Sequence, residues 1–111
     1  MAKPEGWVRV MAEAEVEEGN IYGFEVDGEE RVLTCVAGKI CALDGICTHE
    51  YAELVEGDIE DGILWCPLHG SGFDVETGAV TNLPATTPLA TYDVVVEDGE
   101  VYVSPTAREQ G

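Results

Sequence analysis

Hydrophobic and polar residues alternate along most of this chain, in short runs separated by glycine-containing turns. Alternation with a period of two is typical of half-buried β-strands, and the three-to-four-residue spacing of an amphipathic helix is nearly absent. The acidic run 12–18 could form one helical turn, and 52–54 a short turn. The predicted strands cover residues 7–11, 21–26, 31–36, 40–43, 63–65, 73–75, 79–81, 91–97 and 100–103. The pattern therefore predicts an all-β fold of small antiparallel sheets in a sandwich.

Turn signals join these strands into hairpins within one unit. Asp27-Gly28 and Asp98-Gly99 have the composition of tight hairpin turns. Because no repeat or linker divides the 111 residues, we predict a single domain over residues 1–111. Its predicted parts are base sheets at about 5–43 and 85–104, a subdomain carrying the candidate ligands at about 44–84, and a flexible tail at 105–111.

The charge balance restricts the partners of the chain. Acidic residues number 23 and basic residues 5, which gives a net charge of −18 at pH 7. Such a chain repels nucleic acid and anionic membranes, because both are bound through cationic side chains. No run approaches the roughly 18 apolar residues of a membrane span, and the N-terminus lacks a secretory pattern. We therefore expect a cytoplasmic monomer that would be steered toward basic protein surfaces, with association rates that fall as salt rises.

Both histidines of the chain lie in two short blocks that also contain cysteine. The first block is Cys47-Thr48-His49, and the second is Cys66-Pro67-Leu68-His69. Two thiolates and two imidazoles suit either a tetrahedral zinc ion or a [2Fe–2S] cluster with two thiolates on one iron and two imidazoles on the other. Because each block carries one ligand of each kind, the pattern favours the cluster over the segregated spacing usual in zinc fingers. Structural zinc remains the alternative.

The other two cysteines, Cys35 and Cys41, fall on predicted strands. We interpret them as small buried apolar residues. A cluster held by all four cysteines would leave both histidines without a role, and its spacing does not fit a plant-type ferredoxin. Four cysteines in a short chain could form disulfides, but without a secretory signal metal ligation is the better explanation of a cysteine-containing chain.

Beyond the ligand spacing, the sequence resembles the Rieske iron–sulfur family. The resemblance covers residues 40–88 in detail and rests on the two blocks, the sixteen residues between them, Gly70, Phe73-Asp74, Thr77-Gly78 and Pro84, which stands where the family has a cluster-covering proline loop. It implies the Rieske fold and one [2Fe–2S] cluster. By the same resemblance, Cys47 and Cys66 would bind the inner iron, and His49 and His69 the outer iron near the surface.

Departures from the family pattern indicate which kind of Rieske protein this is. High-potential members have an extra cysteine in each ligand loop, and these form a disulfide. Ala52 and Leu68 stand at those positions here. Ser71 matches a hydrogen-bonding serine of those members, whereas Phe73 replaces a hydrogen-bonding tyrosine. Because a lost hydrogen-bond donor and a negative net charge both lower the reduction potential, we expect a value nearer about −150 mV than +300 mV. The chain is thus similar to the Rieske ferredoxins of bacterial aromatic-ring-hydroxylating dioxygenase systems.

That resemblance implies a one-electron carrier between an NAD(P)H-dependent flavoprotein reductase and a terminal oxygenase. The alternatives are a ferredoxin or small subunit of another oxidoreductase, such as a nitrite reductase, and a structural zinc-binding β-module. Catalysis by the chain itself is not expected, because an oxygenase needs a mononuclear iron on two further histidines and a carboxylate. The predicted docking surface surrounds the ligand loops and consists of an apolar patch and a negative rim: Tyr51, Leu68 and Pro84, and Glu50, Glu53 and Glu56.

Overall fold

The computed structural model describes residues 6–48, 51–68 and 70–108. Within those ranges it contains ten strands and two short 3₁₀ helices. The strands are β1 (Val8–Ala12), β2 (Ile21–Val26), β3 (Glu29–Val36), β4 (Lys39–Asp44), β5 (Asp58–Glu60), β6 (Ile63–Trp65), β7 (Gly72–Asp74), β8 (Val80–Asn82), β9 (Thr91–Glu97) and β10 (Glu100–Ala107). The helices are Glu13–Glu15 and Leu54–Glu56. Neither they nor any other described segment forms a helix that is long and apolar enough to cross a membrane.

The strands form two antiparallel sheets. The larger sheet has six strands in the order β1-β10-β9-β4-β3-β2, and the smaller has four in the order β5-β6-β7-β8. The hairpin turns follow the predicted chemistry: Asp27 and Gly28 both have positive φ, as do Asp98 and Gly99. Such turns match the right-handed twist of the flanking strands. The prediction of an all-β, antiparallel fold is confirmed.

Alternation along the central strands divides the interior into two apolar clusters. Leu33 and Ala42 face one cluster, on which residues of both edge strands of the larger sheet also pack. Their sequence neighbours Val32 and Leu43 face the other cluster, which contains Phe73 of the smaller sheet. Fully burying one such side chain stabilises the fold by about 1.5 to 3 kcal/mol. The second cluster therefore joins the two sheets, and it lies directly beneath the candidate ligand loops.

The last strand is longer than the sequence predicts. We expected it to end at residue 103 and residues 105–111 to form a flexible tail, but β10 continues to Ala107. Buried Arg31 donates hydrogen bonds to the carbonyl oxygens of Ser104 at 3.4 Å and Pro105 at 3.2 Å. The amide of Arg108 then donates to the carbonyl of Thr91 at 2.7 Å. The prediction is wrong for residues 105–107, because contacts distant in sequence hold this polar segment.

Candidate metal centre

The first ligand loop follows β4 and is closed at its base by main-chain contacts. The amide of Cys47 donates to the carbonyl oxygen of Ala52 at 3.0 Å. Just outside that pair, Ile46 and Glu53 form an isolated antiparallel bridge. The loop is therefore a small hairpin whose two ends are held together, with Cys47 at the inner end.

A glycine fixes this hairpin against β3. The amide of Gly45 donates to the carbonyl of Glu30 at 2.8 Å, and the carbonyl of Gly45 accepts from the amide of Leu54 at 2.8 Å. A Cβ atom at position 45 would lie 2.8 Å from the backbone nitrogen of Arg31, which is closer than real side chains pack. Only glycine lets the loop leave the sheet at so short a distance from the neighbouring strand.

The second ligand loop connects β6 to β7. The amide of Cys66 donates to the carbonyl of Ser71 at 2.8 Å, next to the cross-strand pair of Trp65 and Gly72. Between them the chain turns tightly, with Gly70 at a φ of +74°. Like the first loop, this one is a closed turn on a short β-ladder, with its cysteine at the first position.

The two cysteines of the loops converge in the apolar cluster between the sheets. Cys47 and Cys66 are each only 4% exposed, and both belong to the cluster that contains Leu54, Leu64 and Phe73. Neither forms a disulfide. Two such cysteines from separate loops, buried in one region, match the donor pair that an iron–sulfur cluster requires of thiolate ligands.

The remaining cysteines behave differently. Cys35 and Cys41 are buried and free, as predicted. Burial raises the pKa of both thiols, and for Cys35 the negative charge of Glu18 adds to the effect. Thiols with raised pKa values in such surroundings are chemically inert. That they contribute packing rather than ligands stays a prediction.

A third segment, residues 83–88, lies beside both loops. The hydroxyl of Thr48 donates to the carbonyl oxygen of Thr87 at 2.5 Å, and the amide of Ala85 donates to the hydroxyl oxygen of Ser71 at 3.0 Å. The sequence predicts a proline-containing loop here but neither of these bonds. Threonine and serine hydroxyls next to ligand positions are the signal that could have indicated them.

Three of the predicted positions, His49, Glu50 and His69, lie outside the described residues. Within the described ranges, no group of three or more His, Cys, Asp or Glu side chains is arranged to hold a metal ion. The structure thus places Cys47 and Cys66 in the same buried apolar cluster, and the ligand set stays a prediction.

Exposed apolar side chains surround the loops. Tyr51 is 76% exposed, Leu68 43% and Leu83 75%. These three residues, which we call the apolar tips, come from the first loop, the second loop and the third segment respectively. Pro84, which we expected in this patch, is only half-exposed, and its neighbour Leu83 takes its place.

The surface near the first loop is negative. Glu53 and Glu56 are exposed there, as predicted. A hydrogen bond to the carboxyl of Glu53, followed by partial burial and by repulsion from Glu53, raises the pKa of Glu30. Positive charge does not offset these groups, because every basic side chain in the described ranges is already in an ion pair: Arg9–Glu100, Arg31–Glu29, Lys39–Glu76 and Arg108–Asp93.

Comparison with known proteins identifies the family to which these loops belong. Residues 6–93 match the family described as the Rieske [2Fe-2S] domain. The chain belongs to the Rieske [2Fe–2S] family. The resemblance inferred from the sequence is confirmed, and two buried cysteines on paired loops fit the [2Fe–2S] cluster of this family.

Relatives of this Rieske protein are ferredoxin components. The ferredoxin component of the naphthalene 1,2-dioxygenase system of Pseudomonas aeruginosa is 38% identical over 99 residues, which cover 89% of this chain and 95% of the relative. The ferredoxin of carbazole 1,9a-dioxygenase from Nocardioides aromaticivorans IC177 superposes with a TM-score of 0.86 and 36% identity, covering 90% of this chain and 98% of that one.

A third relative is a ferredoxin solved together with its partner. The ferredoxin in a complex of reduced oxygenase and oxidized ferredoxin of carbazole 1,9a-dioxygenase gives a TM-score of 0.83 at 34% identity, covering 87% of this chain and 100% of that chain. These relatives span almost the same length as this chain. The chain is therefore a Rieske ferredoxin, an electron-transfer component rather than an enzyme.

Proposed function

We propose that this Rieske ferredoxin carries single electrons from an NAD(P)H-dependent flavoprotein reductase to the terminal oxygenase of an aromatic-ring-hydroxylating dioxygenase. The observation that carries the proposal is that Cys47 and Cys66 lie in one buried cluster of apolar side chains. The chain that holds them matches ferredoxin components over nearly its full length. When bound, the [2Fe–2S] cluster supplies reversible one-electron oxidation and reduction. The proposal includes a monomer in the cytoplasm, and the cytoplasmic part is supported by cysteines that form no disulfide.

We propose Cys47, His49, Cys66 and His69 as the four ligands. Cys47 and Cys66 are buried, whereas the described residues that follow them, Thr48, Pro67 and Leu68 among them, are exposed. This gradient from inside to outside supports cysteines on the inner side of the site and histidines on the side that partners approach. An outer pair of imidazoles offers the shortest route for an electron to enter or leave.

The apolar tips and the acidic side chains around them support a small docking face. Tyr51, Leu68 and Leu83 expose apolar surface around the loops, and Glu53 and Glu56 lie beside it. A carrier that must leave the reductase before it meets the oxygenase needs a small interface that dissociates quickly. Uncompensated negative charge fits a partner with a basic rim, because it speeds encounter without requiring a tight complex.

Analysis of the purified protein tests the cofactor and its ligands. We expect two irons and two acid-labile sulfides per chain, and a low-average-g EPR signal on reduction. Cys47→Ala and Cys66→Ala should abolish both the iron content and the signal, whereas Cys35→Ala should retain them because Cys35 lies outside the site. Zinc without iron or sulfide would instead establish the structural zinc module.

Charge reversal tests the docking face. The double variant Glu53→Lys/Glu56→Lys should slow reduction by the reductase, or oxidation by the oxygenase, about 10-fold at low salt. The matched control Glu13→Lys/Glu15→Lys changes the net charge equally, but Glu13 bonds through its amide to Gly99, at the far end of β9 from the loops. Equal slowing by both variants would show that net charge, rather than this face, controls the encounter.

A further inference from the structure

We propose that Arg31 and Asp44, which are joined through Tyr92, tune the reduction potential of the [2Fe–2S] cluster by their opposite charges. The guanidinium group favours the reduced cluster, and the carboxylate favours the oxidised cluster. We call these three residues the charge unit. The inference rests on the proposed function, since it takes Cys47 to be a cluster ligand.

Arg31 carries the one buried charge within the described ranges. Its side chain is 4% exposed, whereas the three other basic side chains there are between 47% and 65% exposed. A buried charge acts through the protein, where the effective dielectric is lower than in water and salt screens less. In a chain with a net charge of −18, this single guanidinium group therefore acts over a longer range than an exposed charge does.

The positive charge of Arg31 is only weakly offset by its neighbours. The guanidinium group donates to the carbonyl oxygens of Ser104 at 3.4 Å and Pro105 at 3.2 Å, and its central carbon lies 3.9 Å from the centre of the Tyr92 ring. Nε has no hydrogen-bond partner among the described residues. The carboxylate of Glu29 is 3.5 Å away, but that side chain is 74% exposed, so solvent screens much of its charge.

The negative charge of Asp44 is held at the start of the first ligand loop. The hydroxyl of Tyr92 donates to Oδ1 of Asp44 at 2.5 Å, and the amide of Asp44 donates to the carbonyl of Ala90. Burial, and then this hydrogen bond, raises the pKa of Tyr92 to about 12, so the phenol keeps its proton and continues to donate at neutral pH. Tyr92 is thus the positioning residue that fixes the carboxylate.

The charge unit adjoins the loop that contains Cys47. Arg31 and Asp44 lie opposite each other on β3 and β4. The next residue, Gly45, packs so closely on β3 that a Cβ atom there would lie 2.8 Å from the backbone nitrogen of Arg31. Cys47 follows Asp44 by three residues, which span at most about 10 Å of extended chain. Both charges are therefore near the site.

Opposite charges predict opposite shifts of the potential. Reduction adds one negative charge, so a nearby positive charge strengthens electron uptake and a nearby negative charge weakens it. At an effective dielectric of about 20, a unit charge roughly 12 to 25 Å away changes the equilibrium constant for electron uptake about 3- to 10-fold. For one electron, such a change corresponds to about 30 to 60 mV. A purely structural role predicts no such opposition, because either substitution would loosen the same end of the sheet.

The experiment measures midpoint potentials of the purified ferredoxin by redox titration, with Tm measured alongside. Arg31→Gln removes the positive charge, and Asp44→Asn removes the negative charge. Arg31→Lys keeps the charge but loses the planar fork that contacts two carbonyl groups and stacks on Tyr92. Comparison of Arg31→Lys with Arg31→Gln therefore separates the effect of charge from the effect of packing.

The ion pair of Arg9 and Glu100 offers matched controls. Its atoms are 3.0 Å apart, and its side chains are 53% and 33% exposed. Glu100 pairs with Glu97 at one end of β9, whereas the other end of β9, at Thr91, pairs with β4 beside the loops. The length of β9 separates these ends by about 20 Å. Arg9→Gln and Glu100→Gln thus change the net charge equally, but at an exposed and more distant place.

Arg31→Gln should weaken electron uptake about 3- to 10-fold and lower the midpoint, and Asp44→Asn should strengthen uptake by a similar factor. Arg31→Lys should lose Tm, yet its electron uptake, like that of both controls, should stay within about 2-fold of the wild type. Shifts in one direction for Arg31→Gln and Asp44→Asn, or equally large shifts in the controls, would overturn the proposal. If Arg31→Gln does not fold, Asp44→Asn compared with Glu100→Gln decides alone: only a higher midpoint in Asp44→Asn supports the charge unit.

The two proposals fail in distinguishable ways. Iron and sulfide analysis of the wild type comes first, and a protein without a [2Fe–2S] cluster would refute both the proposed function and the charge unit. A normal cluster whose potential is the same in every variant would refute the charge unit and leave the electron carrier intact.

Discussion

Gly57→Ala is a sharp test of how the smaller sheet supports the second ligand loop. Gly57 joins the second 3₁₀ helix to β5, with φ −86° and ψ −160°. Any residue can adopt this extended backbone, so alanine meets no conformational strain there. Its Cβ would, however, lie 2.1 Å from the carbonyl oxygen of Trp65 and 3.2 Å from that of Leu54. Both are backbone atoms, which cannot move aside as a flexible side chain would.

Two opposing effects set the change in folding stability that Gly57→Ala causes. Replacing glycine lowers the conformational entropy of the unfolded chain, which stabilises a protein by about 0.4 to 1 kcal/mol. The Trp65 carbonyl must move by more than about 1 Å to reach normal contact distance. Overpacking of this kind costs about 1 to 3 kcal/mol or more. The clash therefore dominates, and we expect a net loss of about 2 kcal/mol, or about 10 °C in Tm.

Thermal unfolding followed by far-UV circular dichroism measures this loss, with Gly23→Ala as the matched control. Gly23 lies on an edge strand, and the nearest atom to its Cβ would be a methyl group of Val55 at 3.3 Å. We expect the control to leave Tm unchanged or slightly higher. Because Trp65 directly precedes the proposed ligand Cys66, displacement of its carbonyl should disturb the second ligand loop. The Gly57→Ala protein should therefore also release iron faster than the wild type. A Gly57→Ala protein as stable as Gly23→Ala would refute the steric reasoning.

Three further predictions concern charge and potential. The pKa of Glu30 is raised above its ordinary 4.5. The folded state therefore binds this proton more tightly than the unfolded state, and the protein loses stability as the pH rises above 4.5. Glu30→Gln should accordingly raise Tm at pH 7 but not at pH 4. Burial, and then its hydrogen bond to Asp44, raises the pKa of Tyr92 from 10 to about 12. Its contribution is therefore fully present below pH 10 and lost between 10 and 12. Tyr92→Phe should cost about 1 kcal/mol in urea unfolding at pH 7 and weaken that alkaline loss. Because Phe73 offers no hydroxyl, a redox titration should give a midpoint nearer about −150 mV than +300 mV, and a clearly positive value would contradict this.

The strands that the sequence predicts best are those whose boundaries depend on local chemistry. β2 and β9 begin and end where alternation meets a turn, and both match the predicted ranges 21–26 and 91–97. β5 was not predicted as a separate strand, because Ile59 is its only apolar residue. The end of β10 was predicted wrongly for the related reason that Arg31, over seventy residues earlier, holds it.

The candidate site, too, was predictable from the sequence only where local chemistry decides it. The paired blocks indicate the family and the two thiols, because ligand chemistry demands those residue types at that spacing. The bonds from Thr48 and Ser71 to residues 83–88 could not be predicted, because they depend on how three separate loops pack. The exposure of Leu83 rather than Pro84 is equally a consequence of packing, since both are apolar residues of one loop.

The way the chain leaves and rejoins the larger sheet has a consequence for variation in length. β4 and β9 are neighbours, paired through Leu43 and Thr91, and the amide of Asp44 donates to the carbonyl of Ala90 at 3.0 Å. The chain segment between these points includes both cysteine loops, and it leaves the larger sheet and rejoins it at one place. Insertions or deletions at the loop tips of that segment leave the register of the six-stranded sheet unchanged. One sheet can therefore carry ligand loops of different lengths, and with them different docking faces.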